Sequence, residues 1–275
     1  MNMTLQSMRA VSSSAPEPEI LAGSIVGISR SGLEPEVPSM ESLLRHVGPI
    51  PREALLMGLA TDGLPVLLNL WDPTPGPILI AGDTSTGKTA FLQVLAGFVH
   101  LQHQPHEVQY AVITDRPHEW HGHPGLSHCI GIFPMKQKKT AEFVHALAVW
   151  IDMTRTSSQS VLFLLDGIEQ FVTWHASLKQ GLRNILLHGP AVRIWPVITL
   201  DLEHLQNSHP WLKYFRTRLF GHTQFASQLD VEAASQAGCS FLSNGREFAL
   251  KANGQWIRFH IPDLQISSSR QSVWV

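Results

Sequence analysis

An apolar pentapeptide, Pro77-Ile78-Leu79-Ile80-Ala81, runs directly into Gly82-Asp83-Thr84-Ser85-Thr86-Gly87-Lys88-Thr89, and a helical pattern follows from Ala90 to Leu101. No other stretch restricts the fold as much. Strand, glycine-bounded loop and helix in that order match G-x-x-x-x-G-K-[ST], in which backbone N–H groups converge on phosphate oxygens at the positive end of a helix. The motif predicts that residues Gly82, Asp83, Thr84, Ser85, Thr86, Gly87, Lys88 and Thr89 bind a nucleotide, with ATP as the expected ligand. Lys88 is expected to reach the β- and γ-phosphates, and Thr89 to offer its hydroxyl to Mg²⁺, which takes oxygen ligands.

Such a loop needs a parallel sheet behind it, and the chain supplies one. Val108 to Ile113 reads as a second strand, with Asp115 just past its carboxyl end, where α/β sheets place ligand-facing groups. Val161-Leu162-Phe163-Leu164-Leu165-Asp166 is a continuous apolar run closed by an acid, the pattern of a buried parallel strand whose carboxylate holds Mg²⁺ through water. Thr89 and Asp166 are therefore the expected metal pair. Helices are expected over 137–153, with Phe143, Leu147, Trp150 and Ile151 facing the core, and around Leu178, Leu182, Ile185 and Leu186, stopped by Gly189-Pro190. Pro196 has no N–H to give to a ladder, so the strand ending at Thr199 is expected to begin near Val197 or to bulge at the proline. A short strand follows at Thr217 to Phe220.

Two hairpins flank this alternation. Leu55–Leu59 and Val66–Leu70 surround Asp62-Gly63, and Arg246–Lys251 and Trp256–Ile261 surround Asn253-Gly254. Ser39 is placed to cap a short helix carrying Leu43, Leu44 and Val47, ended by Gly48. The fold class expected is α/β with a mainly parallel sheet, helices on both faces, and an N-terminal and a C-terminal β-hairpin. The expected organisation is a flexible Ser/Pro/Glu-rich tail over 1–39, a short helix and linker over 40–54, an ATPase domain over 55–262 and a polar tail over 263–275.

Composition enters as a set of limits. The 275 residues are 44% hydrophobic, enough for a full core. No apolar run approaches the roughly 18 residues that a membrane helix needs, so no membrane span is expected. Cys129 and Cys239 are read as free thiols in a reduced cytoplasm. His118, His121, His123 and His128 beside Cys129 invite a zinc hypothesis, but no regular ligand spacing accompanies them, and a solvated loop is the expected reading. A formal charge of −2 lacks the basic excess of a protein that holds nucleic acid by its whole field, so any DNA contact must be local, with Lys136, Lys138 and Lys139 as one candidate cluster.

The Walker pair formed by Lys88-Thr89 and Asp166 does not stand alone. Gly58-Leu59 and Asp62-Gly63, the Val108 to Asp115 strand, and Thr217-Arg218-Leu219 follow in an order and spacing similar to the motor domain of the FtsK/HerA superfamily, over most of 55–262. That resemblance implies a RecA-like ATPase that forms a ring and moves along double-stranded DNA, with Arg218 offered to a neighbouring subunit. It also implies a Glu directly after Asp166 to polarise water; the residue there is Gly167, and Glu169 comes two positions later as a displaced base. A polar residue expected after Thr199 is instead Leu200, with Asp201 one position on, and the family's middle loop glycine is Ser85. Two functions stay open at this level: an ATPase acting on DNA, and a nucleotide-gated assembly subunit that has lost fast turnover.

Overall fold

The computed structural model describes residues 38–263 apart from 124, 205–209, 225–237 and 253. The tails expected at 1–39 and 263–275 fall outside the described residues except at their inner ends. Among the described residues ten strands form one sheet: β1 (Ala54–Ala60), β2 (Pro65–Asn69), β3 (Ile78–Gly82), β4 (Val108–Thr114), β5 (Cys129–Pro134), β6 (Ser160–Leu165), β7 (Ile194–Asp201), β8 (Thr217–Phe220), β9 (Glu247–Ala252) and β10 (Gln255–His260). Their spatial order is β2-β1-β10-β9-β8-β3-β7-β6-β4-β5. Strands β8, β3, β7, β6, β4 and β5 are mutually parallel. The two hairpins join edge to edge through β1 and β10 and continue the sheet antiparallel from β8.

Side-chain alternation divides the core between the faces of this sheet, since successive strand residues point to opposite sides. Ile78 and Ile80 pack with α1 (Met40–Val47) and α2 (Lys88–Gln102), whereas Leu79 and Ala81 pack with α3 (Lys138–Met153) and α4 (Ala176–His188). Helix α2 is apolar on nearly all sides, from Phe91 to Val99, because the sheet covers one flank and α1 another. Helix α1 starts at Ser39, whose side-chain oxygen accepts from the Ser42 N–H, and it is pinned by Met40 and Leu43, each 2% exposed. Burial on that scale contributes about 2 kcal/mol per side chain.

Four expectations need correction. Pro196 lies inside β7 without a bulge, opposite Phe163 of β6. Val161 N–H donates to the Arg193 carbonyl, so by alternation Pro196 turns its backbone toward β3, where pairing begins only at Val197. The missing donor therefore falls where the ladder has not yet started. Residues 129–134, where no strand was expected, form the edge strand β5; among the described residues it pairs with β4 alone, and Gly131 and Pro134 mask its pattern. On α3 Ile151 is buried and Phe143 and Leu147 pack partly buried on the core as expected, but Trp150 is 40% exposed, and Thr140, Val144 and Ala148 complete the buried stripe.

The histidine segment is the fourth. His118 and His121 are exposed, but His123 and His128 are buried. Tyr110 Oη lies 2.8 Å from His123 Nδ1, and Trp120 stacks edge-on against the same ring. His128 Nε2 meets the His103 carbonyl at 2.9 Å, and its Nδ1 is 3.3 Å from His100 Nδ1. Among the described residues no group of three or more His, Cys, Asp or Glu is arranged to hold a metal ion.

Burial lowers the His123 pKa to about 4, with His100 and His121 adding like-charge repulsion; burial lowers that of His103 as well. The unfolded chain thus binds protons that the folded chain refuses. Their stabilising contribution is complete above the ordinary histidine value and is lost as the pH falls from about 6.5 towards 4. Thermal melts from pH 7.5 to 4.5 are expected to lose up to about 3 kcal/mol that His123→Phe does not lose. Parallel pH profiles for both proteins would contradict this.

Candidate functional site: the phosphate loop and its acidic wall

Strand β3 ends at Gly82, and α2 starts at Lys88 with Gly87 as its N-cap in the left-handed region, φ 85°. A Cβ at Gly87 would run into the Gly245 carbonyl, so position and conformation both require glycine. Ser85 also adopts left-handed backbone, φ 63°, at a cost of about 1 kcal/mol for a residue with a Cβ. The loop is braced from behind. Asp83 N–H donates to the His222 carbonyl, while its carboxylate accepts from Thr223 Oγ1 at 2.6 Å and Gln224 N–H at 2.8 Å. Thr86, 1% exposed, donates to the Asp83 carbonyl at 2.8 Å. With Asp83 and Thr86 turned inward, the loop meets a ligand with backbone, Lys88 and Thr89. The first-turn N–H groups of α2 have no acceptor four residues earlier in the helix and carry its positive pole.

Lys88 Nζ donates to the Gly82 carbonyl at 2.9 Å and the Asp83 carbonyl at 2.5 Å, and lies 3.7 Å from Asp201 Oδ2. Burial lowers its pKa, against the pull of Asp201, Glu169, Asp166 and Asp83. The same Asp201 oxygen accepts from Thr84 Oγ1 at 2.8 Å. Parallel pairing sets Gly82 opposite Asp201, so alternation along β7 points Thr199 and Asp201 at the loop and sends Leu200 into the core. The polar side chain sought at position 200 is thus presented to the loop one residue later, by Asp201.

Asp166, 5% exposed, is held by three hydroxyls: Thr199 Oγ1 at 2.9 Å on Oδ1, and Thr89 Oγ1 at 3.0 Å and Thr114 Oγ1 at 3.4 Å on Oδ2. Thr89 and Asp166 are hard oxygen donors side by side, at the mouth of the phosphate loop. That donor set fits Mg²⁺, which is held by few protein ligands and several waters.

After Asp166 the chain turns sharply at Gly167, φ 96°, whose N–H donates to Thr199 Oγ1 at 2.8 Å, and enters a 3-10 turn over Ile168–Thr173. The turn brings Glu169 back toward the loop: its Oε2 accepts from the Asp201 N–H at 3.4 Å, and its charge is felt at Lys88. Burial holds the Glu169 carboxyl above the usual carboxylate range, and the nearby Asp201 charge adds to this.

The other sequence candidates lie elsewhere or act differently. Arg218 sits opposite Leu79 within the sheet, three residues before the end of β3, and donates to the Leu212 carbonyl at 3.1 Å. Asp115 accepts from Gln170 Nε2 at 2.6 Å. Lys136, Lys138 and Lys139 are exposed at the start of α3, with Lys138 paired to Glu142 at 3.3 Å. Arg116, which no sequence signal marked, reaches Thr89 Oγ1 at 2.9 Å. Arg116 escaped notice because it belongs to no local motif, and Asp201, noted only as the acid one position after Leu200, needed the β3–β7 register to place it at the loop.

No family model matches the chain, and no curated protein does. Solved structures do. The cytoplasmic domain of the type VII secretion ATPase EccC of Thermomonospora curvata matches with a TM-score of 0.65 and 16% identity, over 83% of this chain and 32% of that one. ATPases 2 and 3 of EssC from Geobacillus thermodenitrificans match at 0.59 and 14%, over 84% and 48%. The pCW3 conjugation coupling protein TcpA, solved with ATPγS, matches at 0.55 and 12%, over 82% and 69%. The chain spans 32% of that EccC chain and 48% of that EssC chain. The chain thus shares the mixed α/β fold of these ATPase domains.

Proposed function

We propose that this chain binds and hydrolyses ATP through the loop 82–89, as an FtsK/HerA-like motor domain. One observation carries the proposal: the Gly167 turn returns Glu169 to the wall facing Lys88, beside the Thr89–Asp166 pair. Lys88 exchanges its two carbonyl contacts for phosphate oxygens, and the first-turn amides of α2 complete the cradle. Thr89 and Asp166 are the residues that would hold Mg²⁺, which would neutralise charge on the phosphates. Glu169 accepts the proton of the attacking water, helped by a carboxyl whose proton affinity burial has raised. Asp201 fixes Thr84 and Lys88 with its carboxylate and Glu169 with its N–H. Gly167 and Leu200 taken alone favour an assembly subunit; in the reading proposed here Glu169 and Asp201 supply those groups from neighbouring positions.

The family resemblance further supports a ring of like subunits, with Arg218 at a junction, and double-stranded DNA as the track. Lys136, Lys138 and Lys139 are the basic side chains offered to phosphates. ATP turnover measured with and without duplex DNA tests the reading: stimulation by duplex is expected, and nucleotide binding without turnover in either case would favour the assembly subunit. Duplex retention should fall steeply as salt rises from 50 to 200 mM, by about tenfold or more, if phosphates are being tracked. A flat salt dependence, or no retention at low salt, would reject DNA.

A further inference from the structure

The guanidinium of Arg116 lies on the proposed metal ligands. Its Nη2 donates to Thr89 Oγ1 at 2.9 Å and is 3.6 Å from Asp166 Oδ2. Its other side faces outward, with Nη1 3.0 Å from Glu119 and Nε 3.7 Å from Asp115. The arm that carries it is fixed: Trp120 is fully buried at the end of a 3-10 turn over Pro117–Trp120, and Gln93 Nε2 of α2 donates to the Glu119 carbonyl at 2.8 Å. Thr114 Oγ1 also accepts the Arg116 N–H at 3.1 Å, tying the backbone to the hydroxyl that contacts Asp166.

Resting on the nucleotide reading above, we propose that Arg116 is the resident counter-ion of the metal position, which Mg²⁺ must displace when nucleotide binds. An arginine stays charged at any working pH, and a carboxylate as buried as Asp166 is costly without a cation beside it. Two cations within a few ångströms of one carboxylate oxygen repel each other, so the guanidinium and Mg²⁺ exclude one another. Displacement is easy because the half-exposed side chain swings only from Thr89 and Asp166 to the exposed Asp115 and the partly exposed Glu119, acids it already touches. Arg116 thereby sets the Mg²⁺ concentration at which the site closes on nucleotide, and its departure reports metal arrival to the turn over 117–120.

A fluorescent ADP analogue titrated into wild type, Arg116→Gln and Arg116→Lys, in EDTA and across a Mg²⁺ series, tests this without relying on turnover. In Arg116→Gln the Mg²⁺ needed for half of the affinity gain should drop about tenfold, the worth of one charge-assisted contact, while affinity in EDTA stays within about twofold. Arg116→Lys keeps the charge and should stay near wild type. An unchanged Mg²⁺ midpoint in Arg116→Gln overturns the proposal, as does a loss of affinity in EDTA, which would make Arg116 a phosphate ligand. A Lys variant indistinguishable from Gln overturns the charge argument. No binding by any of the three proteins in either buffer would instead overturn the nucleotide reading itself.

Discussion

Lys88→Ala is expected to weaken Mg-ATP binding by about 100- to 1000-fold, because two charge-assisted contacts to phosphate are lost together. The amine already stands in place, donating to the Gly82 and Asp83 carbonyls from a largely buried position in front of Asp201. Phosphate oxygens carry more charge than those carbonyls and would win the contacts. The variant also removes the cation that faces Glu169 and Asp201, so the two carboxylates are left opposed and the fold loses some stability. Lys88→Met keeps the apolar stem and serves as the control for packing. Isothermal titration with ATP and Mg²⁺, alongside a melting curve, separates the two effects; unchanged affinity in a folded Lys88→Ala protein would remove the basis of the functional reading.

Glu169→Gln is expected to lower the hydrolysis rate by about 100- to 10,000-fold, while ATP affinity stays within a few-fold. Glutamine retains the shape and can still accept the Asp201 N–H, but it cannot take a proton from water. The companion variant Gly167→Glu puts a carboxylate at the position where the FtsK-type pattern has one, which from sequence would be expected to speed turnover. The structure reverses that expectation. Gly167 has φ 96°, disfavoured by any side chain, and a Cβ there would sit 3.0 Å from Glu169 Oε1. Gly167→Glu should therefore strain the turn, push Glu169 aside and slow hydrolysis. Brisk turnover in Glu169→Gln would show that another group is the base, and Asp201 would be the next residue to replace. Single-turnover measurements with pre-bound ATP keep chemistry apart from binding in both variants.

Much of this protein was legible because it is written in local periodicity. The loop 82–89, the apolar run ending in Asp166, the strand before Asp115, the Ser39 cap and both hairpins each depend on residues within a few positions of one another. The separation of helices onto two faces of the sheet followed from the same patterns. Where the reading failed, the deciding contact came from a distant segment. Pro196 is tolerated inside β7 because its neighbour β3 starts one residue later. Cys129–Pro134 is a strand because β4 offers it an edge. His123 and His128 are buried because Tyr110, Trp120 and the His103 carbonyl close over them.

The same division runs through the site. Sequence determined that Lys88, Thr89 and Asp166 belong together, since loop and strand motifs each name their own residues. It also placed Glu169 near them, but only the left-handed turn at Gly167 decided that the side chain comes back toward the loop. Asp201 enters through the register of two strands more than a hundred residues apart, with Gly82 opposite Asp201, and the period of two along β7 then fixes which of Leu200 and Asp201 faces the loop 82–89. Arg116 enters because a buried Trp120 anchors the turn that aims it at Thr89. Motifs record what the chain does to its near neighbours; register and long-range burial decide which side chains share a site, and no local pattern encodes them.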